Sequence, residues 1–427
     1  MSKRFPIKTI AIFTLFSIGA LNSMADEQHV TPSAAGSMAS GASAVEASTP
    51  EATAAFDAWV KSFRPKAMDA GIGSSTFDAA FKQVTPDPEV VALDQRQPEF
   101  TTYIWDYLDK QITAERVQQG QSLLRSNDAL FQRLERDYGV DRHVLTAIWG
   151  IESQYGSEIG KRYVIRSLAT LANDGRRKTY AENQLLAALQ MLQNDRVPRE
   201  QLVGSWAGAM GQTQFIPTTY LAYGADGDGD QKRDIWNSSA DALASAANYL
   251  KEANWQRGGR WGLEIQVPAP FDYALADLSI KKSVAEWQWL GVIGASEPIP
   301  PQIASLQASI LLPAGYRGPK FLVLDGYRAI RRYNPSTAYA LAVALLADRY
   351  AGKGQIVQPW PTDDPALNNA ADIQRLQQKL TDRGYNPGTI DGIIGDRTQQ
   401  AIRAYQKDHQ LPQDGYASKS LLARLEQ

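Results

Sequence analysis

The sequence predicts a mainly α protein: one large helical domain with a few β elements (α+β in character) and a small three-helix domain at its C-terminal end. Three observations predict it. Apolar residues recur at helical spacing through most of residues 55–352, in stretches stopped by Gly or Pro. Short runs such as "EIQVPA" and "KFLVLDG" are the few that look like strands. A segment rich in Pro, Asn and Asp at 353–370 then separates residues 371–427, which carry a helical pattern of their own.

The elements follow in order. "MSKRFPIK" is basic, "TIAIFTLFSIGAL" is apolar but short of the ~20 residues a membrane span needs, and "SMA" precedes Asp26. Residues 1–25 are therefore expected to be a secretory signal peptide, and the product to be exported to the periplasm. Its removal takes away Lys3, Arg4 and Lys8 and no acid, so the formal charge of −2 becomes about −5. Residues 26–54 are rich in Ala, Ser, Thr and Gly, and are expected to be a disordered tether. The chain has no cysteine, which excludes disulfides, a thiolate metal site and a lipidated anchor; no stable membrane anchor is expected. With 44% hydrophobic and 21% charged residues and no basic excess, nucleic acid is not a partner.

"AAFDAWVKSFRPKAMDAG" and "TFDAAFKQV" open the helical region. "NDALFQRLERDYG" reads as an N-capped helix stopped by Gly139, after which Asp141 caps the next helix. That helix, "DRHVLTAIWGIESQYG", runs from an apolar core sequence straight into Glu152. At about 100° per residue Leu145, Ile148 and Glu152 lie within roughly 60° of one another. The carboxyl thus falls on the apolar stripe at the negative end of the helix, and both settings raise its pKa. An acid protonated near neutral pH is what glycosidic cleavage needs as general acid. The alternative is a solvated helix-end glutamate.

Fifty residues on, "SWAGAMGQTQFIPTTYLAYGADGDGD" places Gly208, Gly211 and Pro217 in an irregular loop where backbone approaches a ligand closely. Ser205, Gln212 and Gln214 there suit sugar hydroxyls and acetamido groups, and Phe215 and Trp206 offer stacking faces. The alternative is a small-residue packing surface.

Together "ESQYG" and "GAMGQTQFIP" resemble the lytic murein transglycosylase B family, over about residues 56–350. The resemblance implies a lysozyme-like, mostly helical enzyme. Such enzymes cut the β-1,4 bond between N-acetylmuramic acid and N-acetylglucosamine in peptidoglycan and leave a 1,6-anhydro ring. It places the acid/base on Glu152 and the glycan cleft on Ser205, Gln214 and Phe215. It adds Arg176 and Arg177 of "NDGRRKTY", Tyr333 and Asn334 of "RRYNPSTAY", then Tyr339, Tyr249 and Tyr107. Paired arginines suit the lactyl carboxylate of muramic acid, and tyrosines supply stacking area and a hydroxyl. The partners implied are peptidoglycan glycan strands, with cell-wall synthases a further class. A hydrolytic muramidase on the same fold and a non-catalytic wall-binding protein are the rival readings.

"ADGDGDQKRDIWN" sets Asp226, Asp228 and Asp230 at positions 1, 3 and 5 of a calcium-loop spacing. Gln231 stands where glycine is expected and Asn237 where a bidentate glutamate is, so a distal ligand has to come from Asp234 or Asp241. The chemistry requires no cofactor; a structural calcium is the expectation drawn from the resemblance, against a solvated acidic turn. Residues 371–427 resemble a peptidoglycan-binding domain through "LQQKL", "GYNPGTIDGIIG" and "LPQDG", with Leu376, Leu380, Ile402 and Tyr405 at core-facing positions.

Overall fold

The computed structural model describes residues 48–95 and 102–427. The expected signal peptide and residues 26–47 of the expected tether lie outside the described residues. Residues 50–54 of that tether are helical: α1 (Pro50–Asp69) starts where Thr49 Oγ1 accepts from the Ala52 amide at 3.2 Å, with Pro50 in its first turn. Phe56, fully buried, then ties the helix down.

α2 (Ser74–Phe81), α3 (Pro88–Gln95), α4 (Ile104–Gln111), α5 (Ala114–Ser126) and α6 (Asp128–Tyr138) lead to α7 (Arg142–Ser153). α7 is the central helix. Asp141 caps it by accepting from the His143 amide at 2.7 Å, and every residue from Val144 to Ser153 is buried. Burial of Leu145, Ile148 and Ile151 contributes about 1.5–3 kcal/mol each. β1 (Arg162–Tyr163), α8 (Val164–Asp174), α9 (Lys178–Asn194), β2 (Val203–Gly204), α10 (Pro217–Tyr223) and α11 (Ser239–Glu252) follow. Two large apolar clusters result, one centred on α7 and one on α8 and α9, and Tyr249 and Tyr333 pack against both.

A five-stranded antiparallel sheet interrupts the helices, in the order β4-β6-β7-β3-β5. β3 (Gly262–Gln266), β4 (Lys282–Ser283), β5 (Ile293–Gly294), β6 (Gln307–Leu311) and β7 (Lys320–Val323) form it, and α12 (Val284–Trp289) buries Trp287 in a separate core with Ile265, Ile310 and Leu322. The expected strands are β3 and β7. β4 and β5, two residues each, are too short to show an alternating pattern. α13 (Asp325–Tyr333) and α14 (Thr337–Tyr350) return the chain to the α7 cluster.

Residues 353–369 are then strapped to the sheet. Glu264 accepts from the Val357 and Gln358 amides at 2.9 Å each, and Gln358 Nε2 donates to the Ile265 carbonyl at 2.7 Å. α15 (Ala370–Asp382), α16 (Asp396–Asp408) and α17 (Lys419–Glu426) close their own core on Leu376, Leu380, Ile402 and Tyr405. No described helix is long and apolar enough to cross a membrane.

Candidate active site

α7 ends at Glu152 and Ser153 because the next three residues, Gln154, Tyr155 and Gly156, all have positive φ (46°, 58° and 87°). The reversal leaves Glu152 on the helix face that the periodicity predicts. It is 5% exposed. Oε1 accepts a hydrogen bond from the Tyr339 hydroxyl at 2.5 Å, and no hydrogen bond to Oε2 is found among the described residues. Burial pushes the carboxyl up to about 8, and the Tyr339 bond pulls the other way without cancelling it. Tyr339 is aimed by the start of α14, where Ser336 Oγ accepts from the Tyr339 amide at 3.3 Å. Burial and the nearby Glu152 charge hold both the Tyr339 and Tyr333 hydroxyls well above the ordinary tyrosine value, so both remain donors.

The loop after β2 is a tight, cross-braced structure. Ser205 donates its amide to the Ala209 carbonyl at 2.7 Å, and Met210 and Phe215 exchange two backbone bonds of 2.9 Å. Gly211, at φ 67°, is required: a Cβ there would stand 2.6 Å from the Ile235 carbonyl oxygen. A network that the sequence does not disclose joins this loop to the end of α7. Trp149 Nε1 donates to Gln212 Oε1 at 2.9 Å, and Gln212 Nε2 to the Trp236 carbonyl at 3.1 Å. Ser153 Oγ donates to the Gln212 carbonyl at 2.6 Å and accepts from the Gly156 amide at 2.9 Å. Gln212, read from sequence as a sugar-binding group, spends its amide inside the protein. The signal available was a polar side chain directly after Gly211, which suits either use.

The other expected residues divide. Ser205 Oγ accepts from the Ala209 amide at 3.0 Å and keeps its own proton for a further acceptor. Gln214, at φ 50°, donates to the Gly211 carbonyl at 2.9 Å, and its Oε1 is buried with no partner among the described residues. Phe215 corrects the expectation of a sugar-stacking face: it is 2% exposed, its ring covered by Tyr249 and Tyr333 at centroid distances of 6.1 and 5.9 Å. It is the floor under two tyrosines because an unsubstituted phenyl ring gains most from complete burial. The half-buried Tyr249 and Tyr333 are edge-to-face at 5.1 Å, and donate to the Arg332 and Thr213 carbonyls at 2.5 Å each. Asn334 Oδ1 accepts from the Ser336 amide at 3.0 Å, forming the turn that starts α14. Tyr107, half-buried on α4, packs against the α7 cluster beside Tyr339.

Arg176 and Arg177 are directed elsewhere. Arg176 holds the buried Asp94 of α3 at 2.6 Å; Arg177 lies 3.7 Å from the same carboxylate and over the Tyr180 ring at 4.5 Å. A buried carboxylate left unpaired is costly, which is why both guanidinium groups turn toward Asp94. Glu158, just after α7, and Asp174, the last residue of α8, are the acids to weigh as a second catalytic group; both are exposed.

In the acidic loop, Asp226, Asp228 and the buried Asp241 of α11 bring carboxylate oxygens within 4.8 Å of one another. Asp230 corrects the spacing argument: it turns away, accepting from the Lys232 amide at 2.8 Å and pairing with its ammonium at 3.7 Å. Hard carboxylate oxygens converging from a loop and a helix fit calcium.

Comparison with known proteins agrees with this geometry. The model of the transglycosylase SLT domain matches residues 55–348, more than half of the chain. The chain belongs to this transglycosylase family. A peptidoglycan-binding domain model matches residues 369–425. SltB3 from Pseudomonas aeruginosa, solved in complex with NAG-anhNAM-pentapeptide, is 52% identical, with a TM-score of 0.84 over 87% of this chain and 99% of that one. The Escherichia coli lytic transglycosylase Slt35, solved in complex with calcium, is 30% identical with a TM-score of 0.57, over 71% and 94% of the two chains. The membrane-bound lytic murein transglycosylase B of Escherichia coli K12 is 33% identical over 248 residues. That match covers 57% of this chain and 66% of the relative, so the chain spans a little under two thirds of that protein's length.

Proposed function

We propose that this transglycosylase family member cleaves the β-1,4 bond after N-acetylmuramic acid in peptidoglycan and closes a 1,6-anhydro ring, as an exported enzyme of cell-wall turnover. The observation that carries the reading is one buried carboxyl, Glu152, held near pH 8 with a phenol donating to it. Glu152 in its protonated form gives its proton to the leaving glycosidic oxygen through Oε2. The sugar's own acetamido carbonyl shields the anomeric carbon, and we assign Ser205 or Gln214 to orient that group, since the Ser205 hydroxyl proton and Gln214 Oε1 have no protein partner among the described residues. Glu152, now anionic and steadied by Tyr339, takes the proton from the C6 hydroxyl as that oxygen closes on C1. Ordinary glycosidases use a second carboxylate. The group that meets the Glu152 carboxyl is the Tyr339 phenol, and the acids Glu158 and Asp174 are exposed, which favours ring closure over activated water.

Mass spectrometry of products from intact sacculi tests this. Anhydro-ended muropeptides are expected; reducing ends would make the protein a hydrolase, and no release would leave a wall binder. Activity is expected to hold below pH 8 and fall as pH rises through it, because the acid form is lost. Tyr339→Phe removes the bond that lowers the Glu152 pKa. Its alkaline limb should move upward and kcat should drop by roughly 10–100-fold, since a charge-assisted hydrogen bond contributes about 1.5–3 kcal/mol. An unchanged pH profile would show that Tyr339 has no hold on the acid.

Asp226, Asp228 and Asp241 would hold a structural calcium ion, pinning the loop to the start of α11. Millimolar calcium should then raise Tm, by roughly 2.7 kcal/mol of stability at a hundredfold excess over Kd. Chelator should reverse the rise and Asp241→Asn abolish it. A Tm indifferent to calcium would assign the three acids to loop bracing alone.

A further inference from the structure

A cavity of about 880 Å³ lies away from Glu152, where three segments meet. Its walls are the turn after β6 (314–317), the strapped segment (361–364) and the C-terminal module from Leu411 to α17. The module is docked there by specific contacts. Asp414 accepts from the Tyr316 amide at 2.9 Å, Asp364 accepts from the Ser420 amide at 2.9 Å, and Arg403 donates to the Ala276 carbonyl at 2.9 Å. Its volume is that of a site for a sizeable organic ligand.

The lining charges are unevenly used. Arg317 is paired with Asp363 at 2.6 Å, Asp364 with the Ser420 amide and hydroxyl, and Asp414 with the Gln406 side chain and two backbone amides. Lys419 and Arg424, both exposed on α17, form no ion pair among the described residues although they line the same space. Tyr316 adds an aromatic face that is 39% exposed. Two unpaired cations beside an open ring, in a cavity whose acids are already occupied, select a ligand with a carboxylate and an apolar or amide backbone.

The cavity is also within reach of the site. Tyr103, next to α4, neighbours Tyr416 of the cavity wall, and Tyr107, four residues on, neighbours Tyr339. Four residues of helix advance about 6 Å. One turn of helix therefore links the cavity wall to the tyrosine that donates to Glu152, and an extended pentapeptide covers about 17 Å.

We propose that this junction cavity is a subsite for the stem peptide of peptidoglycan, with Lys419 and Arg424 receiving its terminal carboxylate while the glycan lies at Glu152. The inference rests on the substrate class argued above, and it makes the C-terminal module a reader of peptide as well as an anchor. It predicts that uncleaved pentapeptide stems are bound in preference to bare glycan.

Binding is measured by calorimetry on the full chain carrying Glu152→Gln, so that ligand is not consumed. Three ligands are compared: a peptide-free NAG-NAM tetrasaccharide, the same glycan with pentapeptide stems, and that glycan with the terminal carboxylate converted to carboxamide. The pentapeptide form should bind roughly tenfold tighter than the bare glycan. The carboxamide should lose most of that gain, and Lys419→Ala with Arg424→Ala should remove it while bare glycan binds as before. Equal binding of all three ligands overturns the proposal, as does a preference that survives the double substitution or the carboxamide. Products of the unsubstituted enzyme separate the two readings. Anhydro ends without a peptide preference sink the subsite alone; a peptide preference without anhydro ends sinks the transglycosylase reading alone.

Discussion

Glu152→Gln should release no anhydro-ended muropeptides from intact peptidoglycan while still binding glycan. The loss should be about 10³-fold or more, because one side chain serves as acid and then as base, and each role ordinarily contributes 10²–10⁴. Glutamine keeps the shape and still accepts from Tyr339, so the substitution removes the proton and little else. The same change should stabilise the fold. Glu152 has a folded-state pKa of about 8 against an ordinary 4.5. Between those values the folded protein retains a proton that the unfolded chain has released, so stability falls as pH rises through the window. At pH 7.5 the cost is on the order of 4 kcal/mol, from 1.36 kcal/mol per pH unit, and glutamine does not incur it. The variant's Tm should therefore exceed the parent's at pH 7.5 and converge with it at pH 4. A catalytically dead variant with no such pH-dependent gain would mean that the carboxyl is hydrated and the acid account is wrong.

Phe215→Ala should cost about 3–5 kcal/mol of stability, lowering Tm by roughly 10 °C, because a fully buried ring leaves a cavity that its neighbours fill only in part. The ring supports Tyr249 and Tyr333 from below and closes the Met210–Phe215 backbone pair, so the loop beside Glu152 should loosen with it. Thermal unfolding and glycan affinity measured together separate this role from direct stacking. A sugar-stacking residue would lose affinity at unchanged Tm; the structure requires Tm to fall first.

Legibility followed how local each interaction is. The face of α7 that carries Glu152 could be read from the 3.6-residue period, and the end of that helix from the turn sequence after it. The left-handed Gly208 and Gly211 marked the loop, and the apolar spacing of α15 and α16 marked the module core. Short strands escaped because two residues cannot show a period, and the start of α1 escaped because an Ala- and Thr-rich segment owes its order to Phe56, buried against distant helices.

The sequence by itself determined that an acid would sit on an apolar helix face beside a glycine-rich loop, since periodicity and turn chemistry act over a few residues. Tertiary structure alone decided what that acid meets. Tyr339 reaches it across 187 residues of chain, Phe215 turns inward, Arg176 and Arg177 turn to Asp94, and Asp230 drops out of the acidic cluster that Asp241 completes. In each case a side chain's partner is fixed by which distant surface removes it from water, and that is a property of the packed chain.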